Sequence, residues 1–237
     1  MIAGIIAAGD GLRLRDSHPH LVKPLVPVAG TPLCHWVVGS LRQAGISDFT
    51  VLFNSKGRAV SKDLEACFPK IRWSFLVADT ASSWESFRLI CQDMARRANR
   101  FVISTVDSLI PPAEAARFTR EMESRGVDAG LALTGFIDDE KPLWAQIGAD
   151  GSIAALGQQV RHRVHATSGL YYMTARLARR MPETAAHNCL RRYWTALVSS
   201  GARVGGVVLS KTIDVDRPQD IKEAESFLKE LSQVAPW

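Results

Sequence analysis

The stretch Ile2-Ala3-Gly4-Ile5-Ile6-Ala7-Ala8-Gly9-Asp10-Gly11-Leu12-Arg13-Leu14 decides how this chain is read. Ile2 to Ala8 is a continuous apolar run that stops at glycines, the pattern of a parallel strand buried on both faces. A glycine loop carrying a cation follows. Glycines at 9 and 11 permit backbone conformations that turn several N–H groups toward one point, which is how phosphates are cradled without side chains. Arg13 adds fixed positive charge, as does Lys23 beyond a polar loop containing Ser17, His18 and His20. On the two glycines alone, an ordinary strand-to-helix turn with solvated Arg13 and Lys23 competes equally. A Walker A loop is excluded because no Gly-Lys-Ser/Thr follows, and the dinucleotide pattern fails because Leu14 stands where its third glycine belongs.

Outward from this loop the chain alternates. Leu33 to Ala44 has helical spacing and stops at Gly45; Phe49 to Phe53 reads as strand. Ser61 to Phe68 (helix), Trp73 to Val77 (strand), Ser83 to Ala98 (helix), Phe101 to Thr105 (strand), Ala113 to Arg125 (helix) and Ala129 to Thr134 (strand) continue the series. Such alternation predicts an α/β fold with a Rossmann-like, mostly parallel sheet flanked by helices, occupying residues 1–237 as one domain. Trp144 to Ile147 and Ile153 to Leu156 flank Asp150-Gly151, a hairpin signal that predicts antiparallel strands within the parallel order. Gly169 to Met173 (strand), Thr184 to Ser200 (helix), Val204 to Leu209 (strand) and the amphipathic Pro218 to Leu231 (helix) complete the reading. Ligands of open α/β sheets bind at the carboxyl ends of the parallel strands, which directs attention to the loops after Ala8, Val77, Thr105 and Leu209.

Composition narrows the function classes. With 46% hydrophobic and 22% charged residues, the chain of 237 is that of a globular protein with a substantial core. The net charge of +5 is dispersed, the densest groups being Arg161 to His165, Arg96-Arg97 and Arg191-Arg192. Dispersed charge argues against nucleic acid and suits a small polyanion. Cys34, Cys67, Cys91 and Cys189 lie far apart without a C-x-x-C pair, so spacing indicates neither zinc nor a redox motif, and buried reduced thiols are expected. No apolar run reaches the length of a membrane span and Met1 to Ala8 is too short for a secretory core, so no membrane partner and a cytoplasmic location are expected. A homo-oligomer is left open.

Residues 3–33, AGIIAAGDGLRLRDSHPHLVKPLVPVAGTPL, add a longer pattern. They resemble the opening of the sugar-phosphate nucleotidyltransferase superfamily: a strand, a Gly-x-Gly-Thr/Ser-Arg loop, a spacer and a Pro-Lys-Pro-Leu-hydrophobic-Pro-Val-x-Gly-x-Pro-Leu run. Nearly all of the second half stands here as Lys23-Pro24-Leu25-Val26-Pro27-Val28-Ala29-Gly30-Thr31-Pro32-Leu33. The resemblance implies the nucleotide-diphospho-sugar transferase fold and transfer of NMP from an NTP to a sugar 1-phosphate or similar phosphorylated acceptor, with release of pyrophosphate. It also implies residue roles. The backbone at Ala8, Gly9 and Gly11 would bind the nucleotide, Arg13 would neutralise the departing phosphates, and Lys23 would sit on the α-phosphate.

Transfer of this kind usually needs Mg²⁺, held by one or two carboxylates with phosphate oxygens and water. Asp107 follows the strand Phe101 to Thr105, where the superfamily carries a metal aspartate; a capping or turn aspartate is the other reading. Ile213-Asp214-Val215-Asp216-Arg217-Pro218-Gln219-Asp220 resembles the superfamily's closing Asp-x-Asp/Gly-Thr-Pro-Glu-Asp-Leu motif. In extended chain Asp214 and Asp216 point to one side, and Asp216 is the preferred ligand unless it caps the helix at Pro218.

Thr80, in Ala78-Asp79-Thr80-Ala81-Ser82-Ser83, occupies the place of a Gly-Thr-Ala stretch near the nucleobase, with a helix cap at Ser82 or Ser83 as the alternative. Ala166-Thr167-Ser168-Gly169-Leu170-Tyr171 resembles the family's Asn-Ala-Gly-Ile-Tyr strand, in which the glycine makes room beneath the acceptor. Just before it, Arg161, Arg163 and His165 alternate and would share one face of a strand, gripping a phosphate or lying solvated. The chain departs from the pattern at Leu12, Val22 and Val106, and no Glu-Lys-Pro precedes Gly169, which puts an ordinary hexose 1-phosphate in doubt. Two other readings stand beside the transferase: a glycosyltransferase with Asp214-x-Asp216 clamping a nucleotide sugar, and a ligand-sensing domain that kept the fold without the chemistry.

Overall fold

A computed structural model describes the backbone of residues 1–14, 17–137 and 141–234, with side chains as far as 231. Nine strands form one sheet: β1 (Ile2–Ala7), β2 (Asp48–Phe53), β3 (Arg72–Val77), β4 (Arg100–Thr105), β5 (Ala129–Thr134), β6 (Trp144–Ile147), β7 (Ile153–Leu156), β8 (His165–Thr174) and β9 (Val204–Leu209). The parallel portion runs β3-β2-β1-β4, and β9 lies parallel to β5. Between them β8 is antiparallel to both β4 and β5, while its first residues, His165 and Ala166, also pair with β6. The β6–β7 hairpin turns at Asp150-Gly151, where Gly151 takes φ +77°, as the sequence predicts.

Helices cover both faces because the strands are apolar on both. On one side α1 (Leu33–Gln43), α2 (Arg58–Cys67) and α4 (Pro112–Arg125) bury Val37, Leu41, Val60, Phe118 and Met122 against the sheet. On the other, α3 (Ser83–Arg97), the short α5 (Ala175–Ala178) and α6 (Leu190–Ser199) bury Trp84, Phe87, Ile90, Met94 and Trp194. A third, smaller core lies under the loops at the carboxyl ends of the parallel strands. There Leu14, Val26, Val28, Leu109, Ile213 and Val215 pack against Ala224, Phe227 and Leu228 of α7 (Pro218–Val234).

Two sequence expectations are corrected. The helix expected over Thr184 to Ser200 is broken into a single turn at Thr184–Ala186 and α6. The His187 ring meets the edge of Trp84 at 5.2 Å, Cys189 is extended, and the Leu190 N–H donates to Ser83 Oγ at 3.1 Å. Docking onto α3 thus wins over helical continuity. Arg161 and Arg163 do not share a strand face with His165, because the chain leaves a turn at Gly157–Gln159 and re-enters the sheet only at His165. Of the four thiols, Cys34 and Cys91 are buried while Cys67 is exposed, and none is paired in a disulfide. Among the described residues no helix is long and apolar enough to cross a membrane.

Phe118 is fully buried between α4 and the sheet, so F118A should destabilise the fold by about 3–5 kcal/mol, read as a lowered urea midpoint with an unchanged slope.

Candidate active site

The carboxyl ends of β1, β4 and β9 converge on one rim. The loop after β4 is stitched to the segment before α7 by a short antiparallel pairing, Leu109 with Ile213 and Ser108 with Asp214. The Val215 N–H also donates to the Asp107 carbonyl at 3.0 Å. With Val215 buried behind them, Asp214 and Asp216 both face outward into one cavity, as their alternation predicts.

Lys23 joins the two loops. It is only 8% exposed, and its ammonium donates to Asp107 Oδ2 at 2.6 Å and to Asp216 Oδ1. Burial alone would lower its pKa, but the two carboxylates outweigh that and hold it above the ordinary lysine range. Asp107 responds in kind: burial would raise its pKa, and the Lys23 charge and hydrogen bond bring it below the usual carboxylate value. Asp214 behaves oppositely. Crowding by protein and then the Asp107 charge raise it to about 7, although its outer edge is open to the cleft. Ser108 donates to Asp214 Oδ1, and Ser108 Oγ lies 3.0 Å from Thr105 Oγ1.

Two glycines are required by close approach. Gly11 has φ +60°, and a Cβ there would come within 2.7 Å of Lys23 Cβ, so the lysine stem runs directly beneath the glycine loop. At Gly169 a Cβ would lie 2.0 Å from Ser108 Oγ and 2.2 Å from Thr105 Oγ1. Gly169 therefore makes room first for this hydroxyl pair, and it also lines the cavity beside it.

Asp216 does not cap α7. That task falls to Asp220, 2% exposed, whose Oδ2 accepts from the Asp216 N–H at 2.8 Å and the Arg217 N–H at 2.7 Å. Asp220 thereby fixes the backbone that presents Asp216, a role that reading the sequence missed. An acid at the third helical position, reaching back toward the helix start, was the available signal.

Two hollows meet at Asp216. One, of about 340 Å³, is lined by Asp10, Gly11, Leu12 and Arg13. Arg13 is exposed there and has no ion-pair partner among the described residues. The other, of about 470 Å³, extends past Asp107 and Gly169 to Tyr171, Arg191 and Trp194. Arg191, also missed in the sequence, is held toward it by the carbonyls of Lys141 and Pro142. Ala8 and Gly9 border the glycine loop, the Ala8 carbonyl accepting from Asn54 Nδ2 at 3.1 Å. Thr80 stands apart from both hollows: its Oγ1 is 2.6 Å from Ser86 Oγ, and Ser82 caps α3 by accepting from the Glu85 N–H.

Asp107 and Asp216 already bracket one cation, the Lys23 ammonium, and three carboxylates outnumber that lysine. Hard oxygen donors in negative excess fit a divalent ion such as Mg²⁺.

Residues 3–197 match the MobA-like NTP transferase domain. The "Bifunctional protein GlmU" of Rhodopseudomonas palustris (strain BisB5) is 26% identical over 156 residues, 65% of this chain and 33% of that protein. The "N-acetylmuramate alpha-1-phosphate uridylyltransferase" of Neisseria meningitidis serogroup B (strain ATCC BAA-335 / MC58) is 39% identical over 64 residues, 27% of this chain and 28% of that protein. The matches thus span about a third or less of the length of these curated relatives. Among solved structures, the inositol-1-phosphate CTP transferase from T. maritima superposes with a TM-score of 0.80 at 19% identity, covering 96% of each chain. A putative glucose-1-phosphate thymidylyltransferase from Bacillus anthracis gives 0.80 at 18% identity, covering 96% of this chain and 94% of that one. At such identities the superpositions speak to the fold, which is the α/β nucleotidyltransferase fold. Since the family match runs over most of its length, the chain belongs to the MobA-like NTP transferase domain family.

Proposed function

We propose that this protein transfers a nucleoside monophosphate from an NTP to a sugar 1-phosphate or a similar phosphorylated small acceptor and releases pyrophosphate. The observation that carries the reading is Lys23, held between Asp107 and Asp216 where two hollows meet. The relatives support it, since their names describe uridylyl, cytidylyl and thymidylyl transfer to sugar or inositol phosphates.

In this reading the triphosphate lies along the glycine loop toward Arg13, and the acceptor enters the larger hollow beside Gly169. An acceptor phosphate oxygen attacks the α-phosphorus in line. The new P–O bond forms as the α,β bond breaks, and pyrophosphate leaves with the electron pair past Arg13. Arg13 neutralises charge on the leaving group, and Lys23 orients and neutralises the α-phosphate. Asp107 and Asp216 would hold Mg²⁺, which when bound supplies further charge neutralisation at the phosphates. Nothing in this step requires a covalent enzyme intermediate. The protein would act in the cytoplasm, where NTPs are abundant.

Pyrophosphate release from ATP, CTP, GTP, UTP and dTTP with Mg²⁺, against a panel of sugar 1-phosphates and phosphocholine, tests the reading. Release that depends on one NTP and one acceptor supports it. Nucleotide binding without turnover across the panel indicates the sensing domain, and nucleoside diphosphate release from a nucleotide sugar indicates the glycosyltransferase. R13A and D107N should each lower kcat by about 10²–10³-fold, R13A with little change in unfolding midpoint and D107N with a lowered one, because it removes a charged partner of buried Lys23; full activity in either variant contradicts the mechanism. D220A should raise the Mg²⁺ concentration needed for half-maximal rate by about 10–100-fold while moving the acceptor KM little, because Asp220 acts through the position of Asp216.

A further inference from the structure

Away from the active site, the fold gathers a ligand set that no spacing in the sequence announces. Cys34 and His35 open α1, and Asp63 lies on α2, beyond the intervening strand β2. One ligand atom from each, the Cys34 thiol, a His35 ring nitrogen and an Asp63 carboxylate oxygen, lie within 4.8 Å of one another. His35 Nε2 is 2.5 Å from Asp63 Oδ2, within hydrogen-bond distance. Cys34 is 1% exposed and His35 is half-buried under the edge of Phe68, whose ring centroid is 5.3 Å away. Cys67 lies one turn beyond Asp63 on α2 and is exposed.

We infer that Cys34, His35 and Asp63 form a zinc site bridging α1 and α2, with Cys67 or water as the fourth ligand. Thiolate, imidazole and carboxylate together are the donors of a borderline-soft ion, not of Mg²⁺. With Zn–S at about 2.3 Å and Zn–N and Zn–O at about 2.0–2.1 Å, tetrahedral ligands stand roughly 3.3–3.7 Å apart. The three ligand atoms lie within 4.8 Å of one another, so side-chain shifts of about 1 Å would bring them to that spacing. On binding, Zn²⁺ displaces the Cys34 thiol proton and the proton of the His35–Asp63 hydrogen bond, and bonds form to sulfur, nitrogen and oxygen. The role is structural. The ion would clamp the start of α1, which follows directly on the Lys23–Pro32 segment, to α2 on the same face of the sheet. This inference does not depend on the nucleotidyltransferase reading.

The test uses the full chain, freed of metal with a chelator and titrated with Co²⁺. One equivalent should give tetrahedral visible bands and a sulfur-to-cobalt charge-transfer band, displaced by one equivalent of Zn²⁺. Co²⁺ at the Asp107 and Asp216 carboxylates gives no such charge transfer, so the two sites are told apart. C34S should abolish the band, and H35Q and D63N should each weaken binding by at least about tenfold, with far-UV circular dichroism unchanged. Retention of the band in C67S supports water as the fourth ligand, and its weakening supports Cys67. Absence of the band at saturating Co²⁺, or its persistence in C34S or with wild-type affinity in H35Q, overturns the proposal.

Discussion

The Lys23 ammonium is the contact on which the site depends. A cation removed from water is tolerable only when paired and hydrogen-bonded, and Lys23 meets that condition with two carboxylates distant in sequence by 84 and 193 residues. The pairing therefore ties the N-terminal loop to the loop after β4 and to the segment before α7. Alternation turns Asp216 toward the cleft, and tertiary contacts hold both Asp107 and Asp216 there. Each is presented by backbone bonds, Val215 to Asp107 and Asp216 to Asp220, that the small core under α7 keeps dry.

That core divides the labour between folding and chemistry. The two large cores seal the faces of the sheet, and one of them reaches the larger hollow through Tyr171, Leu190 and Trp194. The third joins residues of the glycine loop, the β4 loop and α7, so displacement of one loop propagates to the others through packing. Gly11 belongs to the same logic: any side chain there would collide with the Lys23 stem that the core holds in place.

Most of the fold was legible because buried parallel strands are continuous apolar runs. β5, β6, β7 and β9 begin and end where their composition says. Misreadings arose where a tertiary contact overrode a local pattern. Thr184 to Ser200 has the composition of one helix, but His187 docks on Trp84 and Ser83 takes the Leu190 N–H. Arg161 and Arg163 alternate as in a strand, yet no partner strand reaches them. In the site, motif residues Lys23, Asp107 and Asp216 came together as the pattern implied. Arg191 and Asp220 did not stand out, since an arginine on a helix and an acid in a first helical turn are ordinary in sequence and become distinctive only through what they touch. The same holds for Cys34, His35 and Asp63, which are unremarkable along the chain and adjacent across two helices.

Charge balance explains why the site is built with more acid than base. Asp107, Asp214 and Asp216 stand around Lys23, and burial, followed by the Asp107 charge, raises Asp214 to about 7. A triphosphate approaching this rim would be repelled by the carboxylates and drawn by Arg13 and Lys23. A divalent cation held by Asp107 and Asp216 would offset that repulsion. With Asp107 and Asp216 engaged as the ion's ligands, the Lys23 ammonium would be left to meet phosphate. In the proposed reaction the negative excess would thus make nucleotide entry depend on the metal, and Lys23, which ties the loops together through Asp107 and Asp216, would be the group that meets the phosphate.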